Sequence, residues 1–549
     1  MIDRHADSAA EVQNPRLERR QRRIGRPALN KDTTVVSGGS AFSATRSSTD
    51  SATGSVTISP RGPGRDVLLV DLNNFATFPT LAVGVLVASM RNAGHRVRLM
   101  CPLSHDVPAA VREYRESALD DIKRRLHLTT SPMMKTLRNA GRAVHTWRVE
   151  KAHPVVIRQT RQELDKKPDV LLLSAYLQHY NTVVEVAKLA AERSIPVLLG
   201  GPMFNVPGTA ETWRRIPGVT AVVGAESDHT IGAMVDTLCK AGDMLQFPGV
   251  VVADGNLSEP APPMRKLDES PMPDFTDFPW DRYPVRIIPM MTGRGCQWDK
   301  CRFCSDVVSV NGRTFRTRSV DNVLHEMQEQ ARRHDTTSFV FLDLKLNSYP
   351  DMIRGVADRI QEIVQGAEWI GTVHVDQRKD NGLSRSDLDA AVKGGMRRIS
   401  FGLESGSQRL LDLMQKGCTV ERNSEFLRNA HEAGLSIRCT MFKGYPGETA
   451  DDMQQTAEFL EAHSRYLDRV RFNEFSVMEG TPIHESVVSK NGSPIEFIDA
   501  DSRRAKVNYR TPQGSDRAYQ RAKSRALAAV HRINQRELRV SARQFDGIM

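Results

Sequence analysis

Short apolar runs alternate with helical segments along most of this chain, and they form two series. Each run in the first series has the character of a buried parallel strand and is followed by a stretch with helical periodicity. These runs lie at 67–70, 96–100, 170–174, 196–199 and 219–223. Strands that alternate with helices predict an α/β fold over 66–255, with a doubly wound parallel sheet and a ligand crevice at the carboxyl ends of its strands.

The second series predicts a separate domain over 285–485. Its apparent strands lie at 285–292, 338–343, 369–375, 397–403, 435–442 and 470–477. Six such strand–helix units suggest a partial (β/α)6 barrel with its functional residues at the carboxyl ends of the strands. A proline-rich linker at 256–284 separates the two series, and residues 105–165 read as a polar, helical insertion in the first.

The net charge of +10 is concentrated towards the two ends of the sequence. Residues 1–65 carry 11 Lys and Arg against 6 Asp and Glu, and residues 501–549 carry 12 against 4. A surface that tracks nucleic acid normally lies on the folded body, so this distribution argues against a nucleic-acid partner. Residues 37–60 are mostly Ser, Thr, Gly and Ala, so 1–65 is predicted to be a disordered tail, and 486–549 reads as a basic, partly helical C-terminal region.

Neither a membrane span nor a secretory signal is indicated. No apolar run approaches the roughly 20 residues that a transmembrane helix needs. The first residues combine scattered charges with no apolar core segment. The sequence therefore predicts a cytoplasmic protein that does not associate with a membrane.

Three of the seven cysteines fall within nine residues, directly after the first barrel strand. Cys296, Cys301 and Cys304 have the spacing C-x4-C-x2-C and lie in one short loop. Three thiolates on one loop suit a [4Fe–4S] cluster that keeps one iron without a protein ligand. The alternative is a zinc site completed by Cys418 or Cys439, although zinc ribbons usually bring two Cys-x-x-Cys steps.

At these residues the chain resembles the radical S-adenosylmethionine (SAM) superfamily. In that superfamily a three-cysteine loop after the first barrel strand binds a [4Fe–4S] cluster, and SAM chelates the fourth iron. The usual spacing is C-x3-C-x2-C, so this chain has one extra residue between the first two cysteines. The resemblance implies that Phe303 lies against the adenine of SAM.

Two further segments of the barrel are similar to motifs of the same family. The segment 401–407 resembles its G-x-E-S-G-S segment, and 444–449 resembles its G-x-P-G-E-T turn. The resemblance implies that Glu404, Arg438 and Gly447 contact SAM. Glu404 has a barrel-rim salt bridge as its alternative role, and Asp343 and Asp376 are candidates to face the active site or to support it.

The first domain resembles the Rossmann-like cobalamin-binding domain that precedes the barrel in one radical SAM subclass. The small residues at its strand ends suit a ligand tail that passes where a Cβ atom would collide with it. The D-x-H-x-x-G motif that supplies a histidine to cobalt is missing. The residues that the resemblance assigns to cobalamin are Asn73, Ser174, Gly200, Gly201, Pro202 and Glu226.

These resemblances imply a cobalamin-dependent radical SAM methyltransferase. Its cofactors would be a [4Fe–4S] cluster, SAM and methylcobalamin, and an external donor such as a flavodoxin or ferredoxin would supply electrons. The substrate would be a small natural-product intermediate, as in antibiotic biosynthesis, methylated at an unactivated carbon or at phosphorus. The alternatives are a non-methylating rearrangement, cyclisation or oxidation, or the modification of a peptide or RNA.

Overall fold

The computed structural model describes residues 64–73, 75, 77–109, 115–305, 314–378, 380–488, 496–510 and 516–548. The disordered tail expected at 1–65 lies almost entirely outside these residues. By its internal contacts the chain divides into Met1–Ser59 and Pro60–Met549, and everything described below belongs to the second unit.

The first domain is built around a six-stranded sheet. Its strands are β1 (Asp66–Asp71), β2 (Arg96–Met100), β3 (Val170–Ser174), β4 (Val197–Gly200), β5 (Ala221–Val223) and β6 (Val250–Val252). Their order is β2-β1-β3-β4-β5-β6, parallel except for β6, which is antiparallel to β5. Because β2 and β3 lie on opposite sides of β1, the strand order reverses between β1 and β3, and this is where such sheets bind ligands.

Helices cover both faces of this sheet, so the expected doubly wound architecture is confirmed. The helices are α1 (Leu81–Asn92), α2 (Ala118–His127), α3 (Pro132–Glu150), α4 (Pro154–Asp165), α5 (Tyr180–Ala191), α6 (Pro207–Arg214) and α7 (Ile231–Cys239). Val67 and Leu69 pack in the core with α1 and α7, whereas Leu68 and Val70 pack in a second core with α4 and α5. The alternation follows from the period of two in a strand, which sends successive side chains to opposite faces.

The second domain is a six-stranded, all-parallel open barrel. Its strands in spatial order run β14-β13-β12-β11-β10-β7, and a short pair, β8–β9, follows β7. The strands are β7 (Ile288–Met290), β8 (Gly293–Arg294), β9 (Arg316–Thr317), β10 (Ser338–Phe341), β11 (Glu368–Val373), β12 (Met396–Glu404), β13 (Ser436–Lys443) and β14 (Arg469–Glu474). The barrel is open between β7 and β14, as the predicted six units require.

The barrel helices follow the strands and form its outer layer. They are α8 (Val320–His334), α9 (Pro350–Ile363), α10 (Arg385–Lys393), α11 (Gln408–Leu413), α12 (Val420–Ala433) and α13 (Ala450–Ala462). Helix α13 begins at a capping box in which Thr449 and Asp452 exchange side-chain and backbone hydrogen bonds. Among the described residues, no helix combines the length and the apolar character that crossing a bilayer requires.

The C-terminal region belongs to the body of the molecule. It contains α14 (Pro482–Val488), a small sheet of β15 (Val477–Met478), β16 (Glu496–Asp501) and β17 (Lys506–Arg510), and α15 (Arg517–Asn534). Helix α15 buries Tyr519, Leu527 and Val530. The last segment enters the barrel, where Phe545 and Ile548 pack against Val340 and Ile370.

The linker at 256–284 is packed against both domains. Phe275, Phe278 and Tyr283 are buried in the core that contains residues of both domains. A Cβ atom on Gly84 of α1 would lie 2.4 Å from the ring of Phe275. The linker therefore holds the two domains together instead of merely spanning them.

Candidate active site where the sheet meets the barrel

The cysteine loop begins and ends on the short β8–β9 pair. Gly293 and Gly295 let the two strands approach, since a Cβ atom on Gly295 would lie 1.8 Å from the carbonyl oxygen of Thr314. Gly295 also has a φ of +86°, which disfavours any side chain. Cys301 is buried, whereas Cys296 and Cys304 are half-buried. Across the described ranges, no three Cys, His, Asp or Glu side chains are gathered closely enough to hold a metal ion.

Asp343 fixes the start of this loop. Its carboxylate accepts hydrogen bonds from the backbone N–H of Gly293 at 2.8 Å and from the hydroxyl of Thr292 at 2.7 Å. Burial raises the pKa of Asp343 to about 6, although these hydrogen bonds oppose the shift. Asp343 was expected either to face the active site or to support it, and these contacts give it the supporting role.

Two buried lysines flank the cysteine loop, and no motif in the sequence marks them. The Nζ of Lys345 lies 2.6 Å from the carboxylate of Asp376, and neither side chain is exposed. Burial raises the pKa of the Cys296 and Cys301 thiols, and the positive charges of Lys345 and Lys416 oppose that rise. An environment with two fixed cations suits an anionic cluster held by three thiolates.

Glu404 lies at the end of β12, with a backbone conformation that only glycine adopts readily. Its φ is +58°, and its carboxylate accepts a hydrogen bond from Lys416 at 3.0 Å. Burial alone would lower the pKa of Lys416, but the charges of Glu404, Cys301 and Cys418 and the hydrogen bond to Glu404 together outweigh it, and the pKa is raised. Gly402 makes room for the pair, because a Cβ atom there would lie 2.1 Å from the Glu404 carboxylate. Strained backbone of this kind is found mainly at functional sites.

Phe303 belongs to an aromatic wall beside the cysteine loop. Its ring centroid lies 5.4 Å from that of Phe442 and 6.5 Å from that of Tyr445. The Nζ of Lys416 lies 5.6 Å from the Phe303 centroid. Burial raises the pKa of Tyr445 to about 12, and within the described residues its buried hydroxyl has no hydrogen-bond partner.

Arg438 lies apart from this group, whereas Gly447 follows Tyr445 by two residues. Arg438 is buried on β13 and pairs in register with Ser400, four residues before Glu404 on β12. At about 3.3 Å per residue, Arg438 is well over 10 Å along the strand from Glu404, so the two side chains are not neighbours. Gly447 has a φ of +88° and lies in the turn before α13, where its carbonyl oxygen accepts a hydrogen bond from Arg409.

The ligand edge of the first sheet carries two of the cobalamin candidates side by side. The Asn73 amide donates to the Ser174 hydroxyl at 3.1 Å, which links the ends of β1 and β3. The Oδ1 atom of Asn73 is buried and has no partner among the described residues. A polar atom of this kind, at the point where the strand order reverses, suits a polar ligand.

The glycines of the next loop differ in their surroundings. A Cβ atom on Gly200 would meet nothing within 4 Å, whereas one on Gly201 would lie 2.2 Å from the carbonyl oxygen of Ala175. Gly200 therefore borders open space at the end of β4, and Gly201 is needed for the loop itself to pack. Pro202 is exposed at the same edge.

Glu226 has a different role from the one expected. Its carboxylate accepts hydrogen bonds from Arg316 at 2.7 Å and from the backbone N–H of Met264 at 2.7 Å. Its neighbour Asp228 is bonded to both terminal nitrogens of Arg294. The carboxylate of Glu226 is thus committed to the barrel, and it is withdrawn from the proposed cobalamin contacts.

Comparison with known proteins agrees with this architecture. Residues 290–460 match the family model described as the radical SAM superfamily. An uncharacterized methyltransferase of Pyrococcus horikoshii is 27% identical over 333 residues, which cover 59% of this chain and 70% of the relative. The anaerobic magnesium-protoporphyrin IX monomethyl ester cyclase of Rubrivivax gelatinosus is 25% identical over 54% of this chain and 55% of its own length.

A solved structure shows the same fold over most of the chain. It is the radical SAM methyltransferase TsrM from Kitasatospora setae, with cobalamin and a [4Fe–4S] cluster bound. The TM-score is 0.58 at 15% identity, and the match covers 85% of this chain and 89% of that one. Residues 290–460 form a radical SAM domain, and the chain is a radical SAM enzyme. Its sheet and barrel together have the fold of a cobalamin-containing member of that superfamily.

Proposed function

We propose that this protein is a cobalamin-dependent radical SAM methyltransferase acting on an unactivated carbon, or a phosphorus, centre of a small natural-product intermediate. The observation that carries the proposal is the attachment of the cysteine loop to the ligand edge of the first sheet. Arg294, two residues before Cys296, binds Asp228 of the loop that follows β5. Both candidate cofactor sites therefore open towards the same interface.

The residues at each site fit the groups assigned to them. Cys296, Cys301 and Cys304 would hold the cluster, and Lys345 and Lys416 would balance its charge. Phe303, Glu404 and Gly447 would contact SAM, with Arg438 as a further candidate deeper in the barrel. Asn73, Ser174 and Gly200 would contact cobalamin, while Gly201 and Pro202 shape the loop beside it.

When bound, the cluster and SAM supply radical chemistry and cobalamin supplies the methyl group. The chain itself binds and orients these groups. The aromatic wall of Phe303, Phe442 and Tyr445 excludes water from one side of the barrel mouth, and the Lys416–Glu404 pair presents a fixed charge there. Exclusion of water strengthens such fixed charges and protects reactive species from side reactions.

The partners follow from the same reasoning. Electrons would come from an external flavodoxin or ferredoxin. Helix α15, which lies in the basic C-terminal region, packs against α13 and β14, and its Arg525 pairs with Glu461. A small-molecule substrate is therefore favoured over RNA.

Anaerobic reconstitution with iron, sulfide and hydroxocobalamin tests the proposal. Mass spectrometry of the SAM-derived products should detect 5′-deoxyadenosine together with S-adenosylhomocysteine. A protein that forms its cluster but takes up no cobalamin would contradict the assignment of the first domain.

A non-methylating reaction is the second candidate, and the similarity to the anaerobic cyclase favours it. The same parts would then serve a cyclisation or oxidation. Formation of 5′-deoxyadenosine without S-adenosylhomocysteine, by protein that has bound cobalamin, would support this candidate over methyl transfer.

A further inference from the structure

Both ends of the cysteine loop are tied to one acidic segment of the first domain. Arg294 lies on β8 at the start of the loop, and Arg316 lies on β9 at its end. Arg294 binds Asp228 through two parallel hydrogen bonds, one of them 3.0 Å long. Arg316 binds Glu226 at 2.7 and 2.9 Å, and Arg294 also lies 3.6 Å from Glu226.

These four side chains form a closed, buried network. The exposed fractions of their side chains are 18% for Arg294, 7% for Arg316, 7% for Asp228 and 12% for Glu226. One oxygen of each carboxylate accepts a second hydrogen bond, since Ser270 donates to Oδ1 of Asp228 and the Met264 N–H donates to Oε2 of Glu226. Burial would raise the pKa of Asp228, but Arg294 outweighs it and the pKa is lowered, so the carboxylate is ionised.

A buried ion-pair network of this kind is not explained by stability alone. The cost of removing the charges from water often cancels their attraction, and apolar replacements can be as stable. What the network does provide is geometry, because paired guanidinium and carboxylate groups hold a fixed orientation. The network joins the loop that would carry the cluster to the strand ends that would carry cobalamin.

We infer that Arg294, Arg316, Glu226 and Asp228 are positioning residues: a clamp that sets the separation between the iron–sulfur cluster and the corrin. The inference rests on the proposed function. It also extends that function, since no side chain of the clamp contacts a reacting atom. Loosening the clamp should leave both groups bound but at a less uniform distance, so that radical formation continues while methyl transfer falls.

Amide hydrogen exchange on the cofactor-free protein tests whether the clamp holds the cysteine loop and the segment after β5 together. Arg294→Gln should speed amide exchange about tenfold or more in two separate peptides, one covering 293–305 and one covering 224–230, because each loses the same partner. Arg294→Lys should restore part of the protection. The matched control is Arg318→Gln, whose buried partner Glu326 lies on the barrel's own helix α8. This control should loosen the barrel near α8 and leave 224–230 unchanged.

Protein with both the cluster and cobalamin bound tests whether the clamp sets the distance between them and thereby supports methyl transfer. Pulsed electron paramagnetic resonance should give a single distance between the reduced cluster and cob(II)alamin in the wild type and a broadened distribution in Arg294→Gln and Glu226→Gln. Iron and cobalamin contents should stay the same, and the ratio of 5′-deoxyadenosine to S-adenosylhomocysteine should rise at least about fivefold.

The outcomes separate the clamp from the proposed function. If the wild type binds no cobalamin, the proposed function fails, and the exchange experiment still reports on the clamp. If cobalamin binds but the variants keep the wild-type distance and product ratio, the clamp is overturned. Exchange that changes at 293–305 but not at 224–230 would also overturn it.

Discussion

Glu404 contributes to this site in two ways that can be measured separately. Its carboxylate is available to a ligand, and it also pairs with Lys416. The sequence left it between a SAM contact and a salt bridge at the barrel rim, and the structure records an ion pair with Lys416. The pair lies beside Phe303 and the cysteine loop, so its charge is available to a ligand as well as to the fold. Substitutions on both sides of the pair can distinguish the two contributions.

Glu404→Gln should lower SAM affinity roughly tenfold to a hundredfold, because a charge-assisted hydrogen bond contributes about 1.5–3 kcal/mol. It should also lower the free energy of unfolding by about 3 kcal/mol, since Lys416 keeps a buried charge without its partner. Adding Lys416→Met should recover most of the stability but not the affinity. Calorimetric SAM binding and urea unfolding measure the two effects. Normal SAM affinity in Glu404→Gln would leave Glu404 with the structural role alone.

Gly200 is the position at which a side chain would enter the proposed cobalamin crevice without disturbing the loop. Gly200→Leu should therefore lower hydroxocobalamin uptake at least about tenfold while iron content and thermal stability stay close to the wild type. The matched control is Gly141→Leu on α3, where a Cβ atom also meets nothing within 4 Å. Visible spectra after reconstitution give both contents. Equal uptake by the two variants would place the corrin elsewhere.

At the scale of the elements, the sequence predicted the regular strands well, because the pattern of buried apolar residues along the chain marks them. Predicted strands at 397–403 and 435–442 correspond to β12 (Met396–Glu404) and β13 (Ser436–Lys443). The cysteine loop was recognisable because its spacing is a local property of the sequence. Lys345 and Lys416 were not recognisable, since a lone lysine carries no signal until the fold buries it.

The C-terminal elements were the main omission, and the reason is physical. Their charges read as a basic tail, but Lys523 and Arg525 find partners far away in sequence, on the α2–α3 turn and on α13. Glu448, in the turn before α13, is buried and accepts a hydrogen bond from Tyr519 of α15 at 2.7 Å. Contacts between residues that are far apart in the sequence leave no pattern in a short stretch of sequence, so they cannot be predicted from it.

The Glu448–Tyr519 contact should make stability depend on pH. Burial raises the pKa of Glu448 from 4.5 to about 7, although hydrogen bonds from Tyr519 and Gly444 oppose the shift. Between pH 4.5 and about 7 the carboxyl group of Glu448 holds its proton more tightly in the folded protein than in the unfolded chain. The free energy of unfolding should therefore fall as the pH rises from about 5 to 7. Glu448→Gln should remove up to about 3 kcal/mol of that dependence.

Denaturant unfolding of wild type and Glu448→Gln at pH 5, 6 and 7 measures this effect. Only the difference between the two proteins is informative, because Asp71 and Asp343 have pKa values of about 6 and act in the same direction. Parallel stability curves for the two proteins would mean that Glu448 is ionised in the folded state.

At the scale of the whole molecule, the edge strand β14 of the barrel is contacted by α3 of the first domain and by α15 of the C-terminal region. Arg142 of α3 pairs with Glu474 at the end of the edge strand β14, and Lys523 of α15 donates to the Leu128 carbonyl at 3.0 Å. Phe545 and Ile548 pack against Val340 and Ile370, and Gln544 contacts the first residues of β10 and β11. Because the two domains and the C-terminal region pack together, we expect neither domain to retain both proposed cofactor sites alone.

The division between Met1–Ser59 and Pro60–Met549 leads to the last prediction. A chain that begins at Pro60 should keep its iron content, its hydroxocobalamin uptake and its melting temperature, because every residue assigned to a site lies in the second unit. Its free energy of unfolding should change by less than about 0.5 kcal/mol, as for changes remote from packed features. A chain that begins at Leu72 is the control, since it lacks β1, which pairs with both β2 and β3. That chain should lose cobalamin uptake and cooperative unfolding together. Loss of iron or cobalamin from the chain that begins at Pro60 would show that residues before it contribute to a site.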